Sequence, residues 1–457
     1  MRLVDRSEDG RGAEGRSNGR AGSAPHVAVI GAGVAGLAAA RVLDQAGFAV
    51  TVLEARDRIG GRVWSIPSPR GAMATELGAE FAHGRAPEVL ALVDEGRIAV
   101  HRITAPPLRV VAGRVEPGED LSIAAGAVVR DVSLAAPDES FAAVLQRRHL
   151  PADWAERARG YVEGFHAAPA EEASAHALAL TQIAHDAADD DSQRIFPAGC
   201  AALVEVLALT LGRTRLLREH VVEEVRWGRG AVVVYARSRG RIREIDADAA
   251  IVTLPVGVLQ AGAVRFDPPL EPKRACLEHL GAGHVLRMTL HLHEPVWQRA
   301  ADPRLHRRWS FLFTDDPDVP TFWRRGDDDV LVAWAPGRYA ARLPAGEMAR
   351  RAVLIGSLAR QLQVPALALD AALHRVDCHD WSADPLTRGA YSYYRVGGEA
   401  ASRTLAEPLL ETLYFAGEAT DLSFQNGTLH GAIASGARAA AELIGRLIRP
   451  QARSARA

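Results

Sequence analysis

Three glycines near the start of the chain have the spacing of a dinucleotide-binding turn. Gly31, Gly33 and Gly36 form a GxGxxG pattern between a short apolar run at 27–30 and an Ala/Leu-rich helical stretch. In such a turn the first glycine allows the tight bend, the second lets the backbone approach a pyrophosphate, and the third lets helix and strand pack closely. The helix N-terminus then faces the phosphates. The pattern therefore predicts that this end of the chain binds a dinucleotide.

A carboxylate and a second pair of glycines narrow the choice of dinucleotide. Glu54 lies 23 residues after Gly31, at the end of the next apolar run, where a carboxylate binds ribose hydroxyls. An acid at this place argues against a ribose 2′-phosphate. The segment 56–62, RDRIGGR, then offers two glycines between arginines for a second phosphate contact. Because a nicotinamide-binding unit needs no such segment, the sequence favours a flavin dinucleotide.

The elements that must position these residues are short buried strands alternating with helices. Apolar runs typical of buried parallel strands lie at 27–30, 49–55, 249–255 and 411–417. A strand pair is expected at 221–238, a strand with one exposed face at 283–297, and a long amphipathic helix at 429–448. Since similar strands occur near the beginning, middle and end of the chain, we expect an α/β protein with two intertwined domains.

Composition excludes several functional classes. The 457 residues carry 54 basic and 56 acidic side chains, a formal net charge of −2, which argues against a nucleic-acid partner. No uncharged apolar run of about 18 residues occurs, so no membrane span is expected. The N-terminal stretch lacks the apolar segment of a secretion signal, and three widely spaced cysteines indicate a reducing compartment. We therefore expect a cytoplasmic protein.

The residues that carry these motifs closely resemble the flavin-containing amine oxidase family. The stretch 27–63, VAVIGAGVAGLAAARVLDQAGFAVTVLEARDRIGGRV, resembles the opening of that family. Five further segments resemble family motifs in the same order: ELGAEFAHG (76–84), FPAGCAALVEVLA (196–208), IVTLPVGVLQAGAVRFDPPL (251–270), WSADPLTRGAYSYYRVG (381–397) and YFAGEATDLSFQNGTLHGAIASGARAA (414–440). The resemblance covers nearly all of 26–448.

The resemblance implies an FAD-binding Rossmann-like domain intertwined with an α+β substrate domain of mixed sheet and helices. The FAD-binding domain is expected at 25–85, 192–268 and 388–448, and the substrate domain at 86–191 and 269–387. A disordered lead is expected at 1–24 and a flexible tail at 449–457.

The resemblance also implies which residues hold FAD. The expected contacts are Gly31, Gly33, Ala35, Gly36, Glu54, Ala55, Arg56, Gly61, Arg62, Gly78, Ala79, Glu80, Val222, Trp381, Gly417, Glu418, Thr428 and Leu429. Some family members attach the flavin through a cysteine just before a tyrosine, and here Ala390 precedes Tyr391. We therefore expect FAD to be bound non-covalently, with no metal.

The same resemblance gives candidate substrate and catalytic residues. Tyr391 and Trp381 are expected in an aromatic wall of the active site, and Thr428 occupies the position of a second wall residue. Glu80 and His83 are candidates for holding the amine head, although a salt bridge at the domain seam is an equal alternative for Glu80.

The remaining residues with possible functional roles are an arginine, a lysine and two histidines. Arg287 occupies the position where many family members carry a lysine, and three readings of it stand: a donor to bound water, a clamp for a substrate carboxylate, or a structural ion pair in the sheet. The one lysine, Lys273, is expected on a helix surface. His291 and His293 are expected to face solvent from one strand.

The activity implied is an FAD-dependent oxidase that removes two electrons from the C–N bond of an amine. Hydride passes to flavin N5, the imine hydrolyses to an aldehyde, and O₂ is reduced to H₂O₂. The partners are then a small amine and O₂, with a homodimer left open. The alternatives are an L-amino-acid oxidase or desaturase-type flavoenzyme, and a flavoprotein with weak oxidase activity.

Overall fold

The computed structural model describes residues 24–69, 73–119, 121–188, 192–326 and 329–447. Apart from Ala24, the expected N-terminal lead lies outside these residues, as does the whole of the expected tail.

The strands are named in chain order. They are β1 His26–Ile30, β2 Ala49–Leu53, β3 Ser65–Ile66, β4 Thr75–Glu76, β5 Ala82–His83, β6 His101–Arg102, β7 Leu108–Val111, β8 Arg114–Pro117, β9 Gln193–Ile195, β10 Arg215–Leu217, β11 Val221–Gly228, β12 Ala231–Ser238, β13 Arg241–Ala247, β14 Ala249–Val252, β15 Arg265–Asp267, β16 Leu280–Ala282, β17 Val285–Leu292, β18 Phe311–Thr314, β19 Thr321–Arg324, β20 Val330–Pro336, β21 Leu373–Cys378, β22 Ser392–Tyr394 and β23 Leu413–Phe415.

The α-helices are named in the same way. They are α1 Val34–Gln45, α2 Pro87–Gly96, α3 Leu121–Val129, α4 Phe141–Arg148, α5 Ala152–Phe165, α6 Ala175–Ala188, α7 Ala201–Leu209, α8 Val256–Gln260, α9 Glu271–Glu278, α10 Arg338–Arg342, α11 Glu347–Leu362, α12 Ala366–Ala372, α13 Ala401–Ala406 and α14 Leu429–Leu447. Short 3₁₀ helices lie at Val296–Arg299, Pro303–His306 and Glu418–Thr420.

A five-stranded parallel sheet organises the first part of the fold. Its order is β10-β2-β1-β14-β23, so strands from the beginning, middle and end of the chain pair directly, as expected. Both faces are covered. Val27 and Val29 of β1 pack towards α1, α2, α7 and α14, whereas Ala28 and Ile30 pack towards β11–β13 and α9. This two-sided burial explains the continuous apolar runs. The predicted α/β fold class is confirmed.

A seven-stranded mixed sheet forms the second part. Its order is β21-β17-β20-β19-β18-β7-β8. The expectation that β17 exposes one face is wrong, because all eight of its residues are buried. Its apolar face packs in the second core. Its polar face contacts the segment 75–80, where His291 hydrogen-bonds Thr75 and also lies 2.8 Å from Asp377 Oδ2. The expectation that His291 faces solvent is therefore also wrong.

The division into two domains remains a prediction. Three elements of the expected substrate domain pack against the parallel sheet or its helices. Helix α2 lies in the segment expected to bind substrate, yet Val89 and Leu92 pack in the core beside α1, α7 and α14. Cys276 of α9 and Leu280 of β16 likewise pack against the parallel sheet. Helices α3 to α6 form a core of their own around Phe141.

Lys273 is buried, so the expectation that it lies on a helix surface is wrong. Its side chain is enclosed between α9 and α13, and Nζ donates hydrogen bonds to the carbonyl oxygens of Thr404 and Glu407. These carbonyls lie at the C-terminal end of α13, which attracts a cation. Burial lowers the pKa of Lys273. The lysine thus caps a helix.

Among the described helices, none is by itself long and apolar enough to cross a membrane. The bent pair α11 and α12 meets those criteria only when its two helices are taken together.

The fold generates a prediction about Gly36. A Cβ atom built on Gly36 would lie 2.0 Å from the carbonyl oxygen of Gly31, so Gly36→Ala must push α1 away from β1. We expect the free energy of unfolding, measured with urea, to fall by about 1–3 kcal/mol. We also expect the purified protein to retain less flavin.

Gly445→Ala is the matched control. It lies in α14, and a Cβ atom there would meet no other atom within 4 Å. Its effect should be neutral or stabilising by up to about 1 kcal/mol. Equal losses in the two variants would contradict the close-packing role of Gly36.

Candidate active site

The glycine turn leaves open space beside the N-terminus of α1. Gly31 has a φ of +106°, in a region that favours glycine, and a Cβ atom there would lie 2.5 Å from Thr253 Oγ1. A Cβ atom on Gly33, by contrast, would meet nothing closer than Gly61 Cα at 3.9 Å. No side chain caps α1. Open space, uncapped backbone N–H groups and the positive end of the helix together fit a pyrophosphate.

The glycine pair Gly60 and Gly61 lies directly beside the glycine turn that starts at Gly31. Gly60 forms an isolated parallel bridge with Gly33, and a Cβ atom on Gly61 would lie 3.2 Å from Gly33 Cα. The two turns, 27 residues apart in sequence, therefore form one cradle of backbone.

Glu54 and Ala55 directly follow β2 at the edge of this cradle. The Glu54 carboxylate is buried and accepts hydrogen bonds from the backbone N–H groups of Ala32 and Arg56, each at 2.9 Å. Desolvation raises the pKa of Glu54 in spite of these bonds. The Arg56 guanidinium pairs with Asp384 at 2.7 Å. Val222 of β11, another expected FAD contact, lines the same cavity as Glu54 and Arg56.

Glu418 lines the same cavity and connects its own segment to three others. Oε1 accepts a hydrogen bond from Arg62 at 2.9 Å, and Oε2 accepts bonds from Ser392 Oγ at 2.6 Å and from the Gly427 N–H at 2.8 Å. Arg62 also donates to the Ala390 carbonyl. Glu418 therefore fixes the backbone around Gly417, whose φ is +127°.

The last helix points its N-terminus into the same cavity. Thr428 accepts a hydrogen bond from the Gly431 N–H and donates to the Gln425 carbonyl, so it caps the start of α14 just before Leu429. The positive end of a 19-residue helix favours negative charge placed there.

Trp381 packs against the segment that contains Gly78 and Ala79, which forms part of the cavity wall. Its indole Nε1 donates to the Leu77 carbonyl at 2.8 Å, and its ring lies 3.1 Å from the position of a Cβ atom on Gly78. That Cβ atom would also lie 1.9 Å from the Arg62 carbonyl. The wall therefore depends on glycine at this position.

Tyr391 presents its ring to the cavity. Its hydroxyl donates to the Phe165 carbonyl at 2.8 Å, and its ring lies 3.1 Å from the position of a Cβ atom on Gly427. Burial, with the charge of Glu418, raises the pKa of Tyr391. The phenol therefore remains protonated.

Glu80 is enclosed by two arginines. Arg287 Nη2 donates to Oε2 at 2.7 Å, Arg325 Nε lies 2.7 Å from Oε1, and Trp323 Nε1 donates to Oε2 at 3.1 Å. All three ionised side chains are at least 96% buried. Burial alone would raise the pKa of Glu80, but the two arginines outweigh it and hold the pKa below its ordinary value of 4.5.

Arg287 therefore forms the ion pair that was one of its three expected roles. Its Nη1 also donates to Thr289 Oγ1 at 2.8 Å and to the Glu76 carbonyl. Arg325 had no signal in the sequence and was missed.

His83 borders the cavity as a neutral imidazole. Burial, with smaller contributions from the charges of His430 and His185, lowers the pKa of His83 to about 4. Its ring packs edge-on against Phe165 at 5.3 Å between centroids.

A single cavity of about 1280 Å³ joins these features. It is larger than the roughly 300–1,000 Å³ of an ordinary small-molecule pocket, so it has room for a dinucleotide and a substrate. Every expected site residue lines it except Gly36, which lies at the helix–strand contact behind the turn. Sequence reasoning missed the aromatic side chains Phe81, Phe311, Trp323 and Trp334, which also line it.

One polar group away from the cavity holds loops together. Asp138, His176 and Glu399 place side-chain atoms within 4.8 Å of one another. Asp138 already accepts hydrogen bonds from Ser174 Oγ and from the backbone N–H groups of His176 and Gly397.

The Glu80 group generates a second prediction. Glu80→Gln leaves Arg287 and Arg325 buried without a counter-charge, so we expect the free energy of unfolding at neutral pH to fall by about 3–5 kcal/mol. Because the folded pKa is depressed, the native protein should lose stability as pH falls below about 4.5, and Glu80→Gln should lack that component. Urea unfolding at several pH values measures both effects.

Glu95→Gln is the control, since it breaks a half-exposed pair with Arg41 that has the same 2.7 Å separation. Its loss should stay below about 1 kcal/mol. A Glu80→Gln loss no larger than that would contradict the importance of the buried group.

Comparison with known proteins identifies the family. Residues 34–133 and 131–444 match the family model described as flavin containing amine oxidoreductase. Polyamine oxidase 4 of Oryza sativa subsp. japonica is 28% identical over 458 residues, covering 93% of this chain and 90% of that protein. FLOWERING LOCUS D of Arabidopsis thaliana is 29% identical over 466 residues, covering 91% of this chain. The chain spans only 55% of that relative's length. It spans 52–59% of the length of six further relatives, each named as a lysine-specific histone demethylase 1 homolog.

Solved structures show the same fold. Putrescine oxidase bound to putrescine superposes with a TM-score of 0.78 at 22% identity, covering 92% of this chain and 99% of that one. Cyclohexylamine oxidase from Brevibacterium oxydans gives a TM-score of 0.78 at 21% identity, covering 93% and 100%. With its glycine cradle, its cavity and a family match over nearly its whole length, the chain belongs to the flavin-containing amine oxidoreductases.

Proposed function

We propose that this protein is an FAD-dependent oxidase that removes two electrons from the C–N bond of a small amine and passes them to O₂. The observation that carries the proposal is the single cavity that runs from the glycine cradle to a chamber lined by aromatic rings. Bound FAD would supply a hydride acceptor that O₂ then reoxidises.

A relative's name supports an amine as the substrate class. Polyamine oxidase 4, which the chain covers over 90% of its length, is named for the oxidation of amines.

Different residues along the cavity would bind different parts of FAD. Gly33 and Gly61 leave room for the pyrophosphate, and Glu54 lies where ribose hydroxyls are expected. The N-terminal end of α14, at Thr428 and Leu429, favours the negative charge that builds up when the cofactor is reduced. The cradle and this helix end border one cavity, so both can act on one dinucleotide.

The chamber favours the form of the amine that can react. An ammonium group resists loss of hydride from the adjacent carbon, so the amine must be neutral. A water-poor, aromatic lining disfavours the charged form and lowers the pKa of a bound amine. His83 is itself neutral and adds no charge there.

Anaerobic mixing of the purified flavoprotein with a panel of amines tests the proposal. We expect at least one amine to bleach the flavin absorbance, and readmitted O₂ to restore it with formation of H₂O₂. Tyr391→Ala removes a wall of the chamber and should slow bleaching by about tenfold to a hundredfold. Tyr391→Phe, the matched control, keeps the ring and loses one hydrogen bond to the Phe165 carbonyl, so it should remain near the native rate. Absence of bleaching by every amine, with FAD bound, would refute the proposal.

Non-covalent attachment is a separate expectation. Ala390 precedes Tyr391, and Cys200, Cys276 and Cys378 are all absent from the described lining of the cavity. A thioether between the flavin and a cysteine therefore has no thiol within reach. Acid precipitation should leave the flavin in the supernatant, where absorbance measures it. A yellow pellet that remains fluorescent under denaturing electrophoresis would contradict this expectation.

A further inference from the structure

The substrate end of the cavity is built from aromatic rings. Phe81, Phe311 and Trp323 lie within 5.6–6.0 Å of one another between ring centroids. Trp334 lies 5.7 Å from Trp323, and all four rings line the cavity together with Tyr391. We call these five residues the aromatic chamber. Aromatic faces favour an apolar ligand.

The polar atoms of these rings are already bonded to the protein. Trp323 Nε1 donates to Glu80 and Trp334 Nε1 donates to the Gly164 carbonyl at 3.0 Å. The Tyr391 hydroxyl donates to the Phe165 carbonyl. The chamber thus presents carbon faces to a ligand.

Three of the four carboxylates in the described cavity lining are also engaged. Among the described residues, four acids line it: Glu54, Glu80, Glu88 and Glu418. Glu54 accepts two backbone N–H bonds, Glu80 is enclosed by two arginines, and Glu418 is held by Arg62, Ser392 and Gly427. Glu88 lies in the first turn of α2, next to the exposed Pro87.

The basic side chain at the chamber is engaged as well. Both terminal nitrogens of Arg287 donate to groups of the protein, to Glu80 through Nη2 and to Thr289 and the Glu76 carbonyl through Nη1. A substrate carboxylate would have to displace a buried ion pair to reach it, which is costly.

From this charge balance we propose that the substrate is a monoamine with an apolar body. Inside the chamber, a second ammonium group, as in a diamine or polyamine, would be buried against ring faces beside Glu80, which two arginines already hold. A substrate carboxylate there would meet Arg287, which is already paired. A single amino group can lose its proton and become neutral in the chamber. Each further ionised group must lose its hydration there without gaining a partner of opposite charge, which is costly. The proposal rests on the oxidase function above.

Two matched pairs of amines test the substrate class. Hexylamine and 1,6-diaminohexane share a chain and differ by one amino group. 2-Phenylethylamine and L-phenylalanine share a body and differ by one carboxylate. In anaerobic stopped-flow reduction of the holoprotein, we expect the first member of each pair to have a ratio of reduction rate to dissociation constant about tenfold or more above the second.

A variant with a new carboxylate makes the test independent of overall activity. Thr321 lines the cavity beside Trp323. Thr321→Glu should raise the diaminohexane-to-hexylamine ratio by about tenfold, because it supplies the missing counter-charge. Thr321→Gln, with a neutral side chain of the same shape, should leave the ratio unchanged.

The outcomes separate this proposal from the proposed function. Reduction by diaminohexane or phenylalanine as fast as by its partner overturns the monoamine class and leaves an oxidase. An unchanged ratio in Thr321→Glu also counts against the class. If none of the four compounds nor any other amine reduces the flavin, the oxidase function itself fails.

Discussion

The carboxylate of Glu418 is the contact on which the cavity depends most. It binds Arg62 from the loop after β2, Ser392 from β22 and the Gly427 backbone before α14. These segments are up to 365 residues apart in sequence, and they converge at Glu418, an expected FAD contact. A buried charge of this kind is stable only when its lone pairs are satisfied, so the same bonds that stabilise Glu418 also fix the floor of the cavity.

The opposite wall follows the same rule. Strand β17 carries apolar residues on the face that packs in the second core, and Arg287, Thr289 and His291 on the face that meets the segment 75–80. The carboxylate of Glu80, in that segment, forms ion pairs with Arg287 and Arg325. Buried ion pairs thus join the mixed sheet to the segment 75–80, and they engage charged groups that could otherwise bind a substrate.

Local sequence predicts the parts of the fold that depend on short-range geometry. The glycine spacing and the apolar runs of β1, β2, β14 and β23 were predictable, because they reflect a turn and strands that are buried on both faces. The pair of β11 and β12 was predictable from the Gly228–Gly230 turn between two strand-like runs. The burial of Lys273 and His291 was not. Their partners, at the end of α13 and on β4 and β21, are distant in sequence. Of the aromatic chamber, only Tyr391 was predicted. The other four rings were missed for the same reason, since they come from separate strands and loops.

The central claim is that a flavin ring and an amine meet inside this cavity at the start of α14. A crystal structure of the oxidised holoprotein with a competitive monoamine tests it most directly. We expect the dinucleotide along Gly31, Gly33 and Gly61, the ring system beside Thr428 and Tyr391, and the amine within the aromatic chamber. A ring system placed outside the cavity, or an amine bound away from the ring, would contradict the claim.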